Sequence, residues 1–182
     1  MEPIIVKLPY PSVDGITPDK QAAAIISPAY AGLYSELTAI LQYTYQDINF
    51  DYQKMDEYAM LLEQISLAEM IHFELLGKML IRLGVVPVMS QVPPYKQNFF
   101  NTSTVSYATN PQKMLIDSIA GEMEAIRGYQ DMLKKLTNEQ VAAVIKRILL
   151  DEMLHLEELR EALENLTNRS VSQTTEAVRE KI

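Results

Sequence analysis

Only two histidines occur in the 182 residues, and each stands three places after a glutamate: Glu69-Met70-Ile71-His72 and Glu152-Met153-Leu154-His155. Both pairs lie inside long stretches of apolar residues at helical spacing, and this pairing constrains the fold more than any other feature of the chain. At about 100° per residue, Glu69 falls within about 40° of Leu62, Ile65, Leu76 and Leu80, and Glu152 within about 40° of Ile145, Ile148, Leu159 and Leu163. Each carboxylate therefore occupies the middle of an apolar stripe. A carboxylate buried there without a partner costs several kcal/mol or takes up a proton. No lysine or arginine shares either phase, which leaves a metal ion as the compensating charge. Positions i and i+3 share one helix face about 5–6 Å apart, so each glutamate and its histidine can meet one ion or two neighbouring ions.

The same phase test selects donors elsewhere in the chain. Glu122 lies within about 40° of Leu115, Ile126, Tyr129 and Leu133, whereas Glu124 is turned roughly 160° away and is expected to face solvent. Glu36 aligns with Ile40, Tyr43 and Phe50, nearer the edge of its apolar face, and Asp47 shares that phase as a weaker candidate. Glu63, Glu74, Glu157 and Glu158 fall well off their stripes and are assigned to the surface. An internal echo links the candidates. Glu36 is followed by Tyr43 seven residues on and then by Glu69 and His72, and Glu122 by Tyr129 seven residues on and then by Glu152 and His155. Two such halves around a pseudo-twofold axis supply four glutamates and two histidines, the donor set of dinuclear carboxylate bundles. Tyr43 and Tyr129 are placed to hydrogen-bond ligand carboxylates.

A chain of this length fits one domain and buries a sizeable core without cross-links. Cysteine is absent, which excludes disulfides, thiolate-bound zinc, iron–sulfur clusters and thiol nucleophiles, so any metal is held by oxygen and nitrogen. A net charge of -8 and a pI near 4.8 give no footprint for nucleic acid, and neither DNA nor RNA is expected as a partner. The first twenty residues carry four prolines and no basic start before an apolar run, so no secretory signal is read there. No membrane span is expected, and the reading places the protein in the cytoplasm.

Residues 1–26 read as an extended N-terminal arm, with a short helical piece near residues 20–26. The spacing then predicts a bundle over residues 27–166. Ser27-Pro28 reads as a cap and first helical position opening a helix to about Phe50, and a second helix runs from about Lys54 to Arg82, stopped by Gly84. A proline-rich connector over residues 85–110 is long enough to cross the length of a bundle. Asn110-Pro111 opens a third helix to about Leu136, and Thr137 with Gln140 has the form of a capping box opening a fourth to about Leu166. Residues 167–182 read as a polar tail with a helical turn near residues 176–181. The fold expected is all-α, a four-helix bundle with a long crossover between its second and third helices.

At these residues the chain resembles the ferritin-like superfamily, especially rubrerythrins and manganese catalases, over about residues 28–166. SELTAILQY (35–43) is similar to the first-helix motif of manganese catalases and bacterioferritins, and IAGEMEAIRGY (119–129) to the third-helix motif of manganese catalases and rubrerythrins. AEMIHFELLGKML (68–80) resembles the second-helix pattern of manganese catalases. The resemblance implies a site holding two iron or two manganese ions, with Glu36, Glu69, His72, Glu122 and His155 as ligands. At the position of Glu152 rubrerythrin-like sites have a further ligand, and manganese catalases have a proton-transfer group just outside the ligand set. Both roles stand open for it. Rubrerythrins carry another glutamate where this chain has Ala125, and full rubrerythrins carry a cysteine-bound iron domain that is missing here. Met70 occupies the place of the haem-binding methionine of bacterioferritins. Among ten methionines a packing role is preferred, and haem is not expected.

The expected function is an oxidoreductase acting on hydrogen peroxide or dioxygen, either disproportionating peroxide or reducing it with electrons from a separate donor protein, with Glu152 moving protons. The alternatives are a ferritin-type ferroxidase that stores iron, or a structural protein of the spore-coat kind that keeps a metal site. A homo-oligomer is expected, since such folds usually associate.

Overall fold

A computed structural model describes residues 1–90, 92–93 and 95–179, with side chains through residue 169. Its elements are α1 (Lys20–Ala31), α2 (Glu36–Tyr52), α3 (Asp56–Arg82), a short 3-10 turn at Thr102–Thr104, α4 (Pro111–Lys135) and α5 (Glu139–Arg179). Helices α2 to α5 form the four-helix bundle and α1 packs across one end of it. α2 and α3 are joined by three residues, as are α4 and α5, so each pair is an antiparallel hairpin. The segment between α3 and α4 runs the length of the bundle. It leaves α3 beside α1, where Asp19 N–H donates to Leu83 O, and arrives at the far end of α2, where Gln53 Nε2 donates to Thr109 O. The connector is thus the expected crossover.

The core has two apolar halves. At the α1 end, Ile26, Leu76, Met79, Leu80, Ile145 and Ile148 pack together, and Tyr30 stacks on Phe73 at 4.3 Å. At the other end Phe50, Leu62, Ile65, Met114, Leu115 and Leu159 form the second half. Between them lies the layer of buried glutamates and histidines.

Three helix boundaries differ from expectation. Ser27-Pro28 does not open a bundle helix. Asp19 caps α1, its Oδ1 accepting from the backbone of Gln21 and Ala22, and Ser27 sits inside that helix with its hydroxyl donating to Ala23 O. α1 ends at Gly32, whose N–H returns to Pro28 O, and a Cβ at residue 32 would lie 2.5 Å from that oxygen. Ser35 then caps α2, so Glu36 is its first residue. At the start of α5, Asn138 rather than Thr137 caps the helix, accepting from Val141 N–H. Finally, α5 does not stop near Leu166 but continues to Arg179. Leu166 is buried against the bundle and Arg169 grips the Glu57 carboxylate, which carries the helix past its expected end. The turn expected over residues 176–181 lies within this helix as far as Arg179, and residues 180–182 lie outside the described residues.

The stretch Lys20–Tyr52 is apolar and long enough, by composition, to cross a membrane. Gly32 to Ser35 divide it, and Ile26, Tyr43 and Phe50 turn into the core of the bundle.

Candidate metal centre

α2 contributes Glu36 from its first turn, α3 contributes Glu69 and His72 from its middle, α4 contributes Glu122, and α5 contributes Glu152 and His155. All six side chains are at most 4% exposed. Their donor atoms form two overlapping groups, Glu36–Glu69–His72–Glu152 and Glu69–Glu122–Glu152–His155, with the atoms of each group within 4.8 Å of one another. The structure therefore brings together the four glutamates selected by helical phase and the two histidines selected by their spacing from Glu69 and Glu152. Asp47 is not among them. It lies half-buried on α2 facing Asp51 and Glu63, while Gln46 turns into the core and accepts from Ser118 Oγ at 2.6 Å. Glu124 is exposed and pairs with Arg127, and Met70 is 46% exposed on the outer side of α3.

The two groups share Glu69 and Glu152, and each shared carboxylate divides its oxygens between the two imidazoles. Glu69 places Oε2 3.1 Å from His72 Nδ1 and Oε1 3.1 Å from His155 Nδ1. Glu152 places Oε1 3.0 Å from His72 Nδ1 and Oε2 3.8 Å from His155 Nδ1. Glu36 belongs to the His72 side at 3.7 Å and Glu122 to the His155 side at 3.9 Å. The ring centroids lie 5.9 Å apart, with the ring planes inclined by 30°. Tyrosines cross between the halves, for the Tyr43 hydroxyl donates to Glu122 Oε1 and the Tyr129 hydroxyl to Glu36 Oε1. Each α2 or α4 glutamate is thus held by the tyrosine of the other helix.

Both imidazoles aim Nδ1 inward because their Nε2 atoms are engaged outside. His155 Nε2 donates to Ile4 O at 2.8 Å and His72 Nε2 to Asp151 Oδ2 at 3.1 Å. A neutral ring held this way keeps its proton on Nε2 and offers the Nδ1 lone pair to an ion.

The donor set fits a pair of divalent ions. Glu69 Oε1, Glu122 Oε2, Glu152 Oε1 and His155 Nδ1 are buried without a hydrogen-bond partner, a loss of about 1–3 kcal/mol for each such group if nothing else meets it. Without metal, the cluster balances its own charge by protonation. Burial pushes Glu36 and Glu122 well above the ordinary carboxylate range, and the neighbouring Glu69 and Glu152 add to it. Burial acts in the same direction on Glu69 and Glu152, but a hydrogen bond from Glu36 with the two nearby histidines outweighs it at Glu69, and the two histidines outweigh both it and the Glu69 charge at Glu152, holding both below the usual value. Burial would lower the two imidazoles, yet the surrounding carboxylates lift both well above the usual histidine value.

Asp151 was not selected from sequence, although it directly precedes Glu152. It is fully buried, and burial would raise its pKa, but hydrogen bonds from His72, Arg147, Tyr10 and the Val6 amide hold it at about 2. The only local signal was Arg147 four places earlier on the same helix. Its other partners are distant in sequence, His72 on α3 at 79 residues and Val6 and Tyr10 in the N-terminal arm at about 140.

A cavity of about 860 Å³ reaches the carboxylates from the face between α2 and α4. Ala39, Ala120, Gly121, Ala125 and Gly128 line its walls, so the two helices leave open space beside Glu36 and Glu122. The opposite face, between α3 and α5, is covered by the arm.

Comparison with known proteins agrees with this architecture. The chain aligns over 89% of its length with the crystal structure of KatB, a manganese catalase from Anabaena, covering 80% of that chain at 20% identity and a TM-score of 0.75. A second structure of that catalase, from Anabaena PCC7120, gives the same TM-score at 21% identity and the same coverage of both chains. A dodecameric thioferritin, the bacterioferritin-related protein from Bacteroides fragilis, aligns over 88% of this chain and 94% of its own at 20% identity and a TM-score of 0.69. At these identities the likeness is one of fold. None of the curated proteins compared with the chain matches it in sequence. The model of the ferritin-like domain matches residues 31–169, which span α2, α3, α4 and most of α5 with all six clustered side chains, and the chain belongs to that family.

Proposed function

We propose that the protein is a dinuclear manganese or iron oxidoreductase acting on hydrogen peroxide or dioxygen. The observation that carries the reading is the division of Glu69 and Glu152, each with one oxygen toward either imidazole. That is the arrangement two adjacent ions require of shared ligands. Glu36 with His72 would hold one ion beside them, and Glu122 with His155 the other. When bound, the paired ions supply the two-electron exchange that cleaves an O–O bond. The chain's own residues do the rest. The α2–α4 cavity admits a small oxidant to the carboxylate side of the centre, while the apolar halves of the core exclude water from the other sides. Tyr43 and Tyr129 orient Glu122 and Glu36. Glu152 lines the cavity, and its divided oxygens favour the ligand role over that of a separate proton carrier.

Disproportionation converts two peroxides to two waters and dioxygen, whereas reduction of one peroxide to two waters consumes two electrons and two protons. A chain without cysteine needs those electrons from a separate donor protein. Elemental analysis followed by peroxide consumption under an oxygen electrode tests the reading. Manganese with oxygen release supports the catalase form, and iron with consumption only when reductant is present supports the peroxidase form. Bound metal without turnover of either kind leaves a structural role. A second reading, oxidation and storage of ferrous iron, is favoured by the likeness to a dodecameric thioferritin. A homo-oligomer is proposed in either case, and sizing separates a cage from a smaller assembly.

A further inference from the structure

The arm that closes the α3–α5 face makes a dense set of contacts for a segment without regular structure. Ile4 pairs with α3 through its N–H to Gln64 O, and its carbonyl accepts from His155 Nε2. Val6 N–H and the Tyr10 hydroxyl each donate to Asp151 at 2.7 Å, one to either oxygen. Arg147 forms an ion pair with Asp151 at 2.7 Å, donates to Val6 O at 2.6 Å and to Leu8 O at 2.9 Å, and lies 4.3 Å over the Tyr10 ring. The Tyr10 ring in turn meets the His72 ring edge-on. Consequently the outward nitrogen of each imidazole ends on the arm, directly for His155 and through Asp151 for His72. Asp151 and Arg147 are both nearly inaccessible to solvent. A buried pair of this kind is stable only when its other hydrogen-bonding groups find partners, and the arm supplies them at both Asp151 oxygens and at Arg147 Nε and Nη2.

We propose that residues 4–10, with Asp151 and Arg147, form a strap whose function is to position His72 and His155 for metal. The proposal rests on the dinuclear reading above. The strap holds both rings with Nδ1 inward before an ion arrives, so that ligand orientation is already set when the metal binds. Outer partners of metal-bound histidines contribute about 10- to 100-fold in affinity. Because coupling is reciprocal, bound metal must also stabilise the strap.

The test uses the full-length chain. Affinity for Mn(II) and Co(II) is measured by chelator competition in the native protein, Tyr10→Phe and Asp151→Asn, with the Co(II) visible spectrum recorded for each. Amide hydrogen exchange of residues 4–10 is followed with and without Zn(II). The expected result is affinity weaker by about 10-fold in Tyr10→Phe and by up to about 100-fold in Asp151→Asn. An altered Co(II) spectrum in Asp151→Asn and slower exchange at Val6 on Zn(II) binding complete it. Unchanged affinity in Tyr10→Phe, together with arm exchange indifferent to metal in the native protein, overturns the strap while leaving the metal centre standing. A native chain that binds no metal overturns the underlying reading instead. Should Asp151→Asn fail to fold, as judged by circular dichroism, Tyr10→Phe and the native exchange data decide the matter alone.

Discussion

Glu69 and Glu152 belong to both donor groups, whereas Glu36 and Glu122 belong to one each, and this difference makes single substitutions diagnostic. Glu69→Gln is expected to abolish binding at both positions, and Glu122→Gln to weaken only the His155 position, with metal stoichiometry by elemental analysis as the check. Protonation gives a second expectation. Glu36, Glu122, His72 and His155 all have raised pKa values in the metal-free protein, so an ion entering near neutral pH must displace protons from them. Affinity should therefore rise with pH, and titration of metal into weakly buffered protein should release acid. Stability carries the same sign. For each of these four groups the folded state binds its proton more tightly than the unfolded chain does. Their contributions are complete below the unfolded values of about 4.3 for glutamate and 6.5 for histidine, and are lost as pH rises through the raised folded values. Glu69, Glu152 and Asp151 act oppositely and lose their contributions on acidification. The melting temperature of the metal-free protein should thus fall on going from about pH 6 to about pH 9, and saturation with metal should remove that decline.

Among the elements, the α1–α2 junction shows where helical signals compete. Ser27-Pro28 reads as a helix start, yet Ser35 opens α2, because α1 runs through Ser27-Pro28 and ends at Gly32, which permits the close return to Pro28 O. Ser35→Ala removes the cap that begins α2 at Glu36 and should cost about 1 kcal/mol, a drop of about 2–4 °C in melting temperature. Gly32→Ala should cost more, since its Cβ meets a backbone oxygen that cannot move without unwinding α1. Scanning calorimetry of the two variants checks both the order and the size. α3 and α4 were legible to within two residues, because Gly84 and Asn110-Pro111 act locally on their own helix ends. The end of α5 was not legible. Its continuation depends on Leu166 finding a pocket and Arg169 finding Glu57, and neither partner is a neighbour in sequence.

Across the whole molecule, the two open faces of the bundle are treated differently. Small residues on α2 and α4 leave a cavity to the carboxylates, while the arm closes the face between α3 and α5 over the imidazoles. Filling the open face with Gly121→Leu should slow peroxide turnover without changing metal content, because a Cβ at this position meets no other atom within 4 Å. Steady-state rates beside elemental analysis test that separation. The sequence by itself determined the class of fold and which six side chains come together, since a 3.6-residue period places a carboxylate in an apolar stripe whatever the stripe later packs against. Only the tertiary structure decided which oxygen serves which imidazole, that Tyr43 and Tyr129 cross between the halves, and that Asp151 and the arm hold the rings. Those choices are made by groups 79 to 151 residues apart in the chain, and periodicity within a helix carries no information about a partner on another.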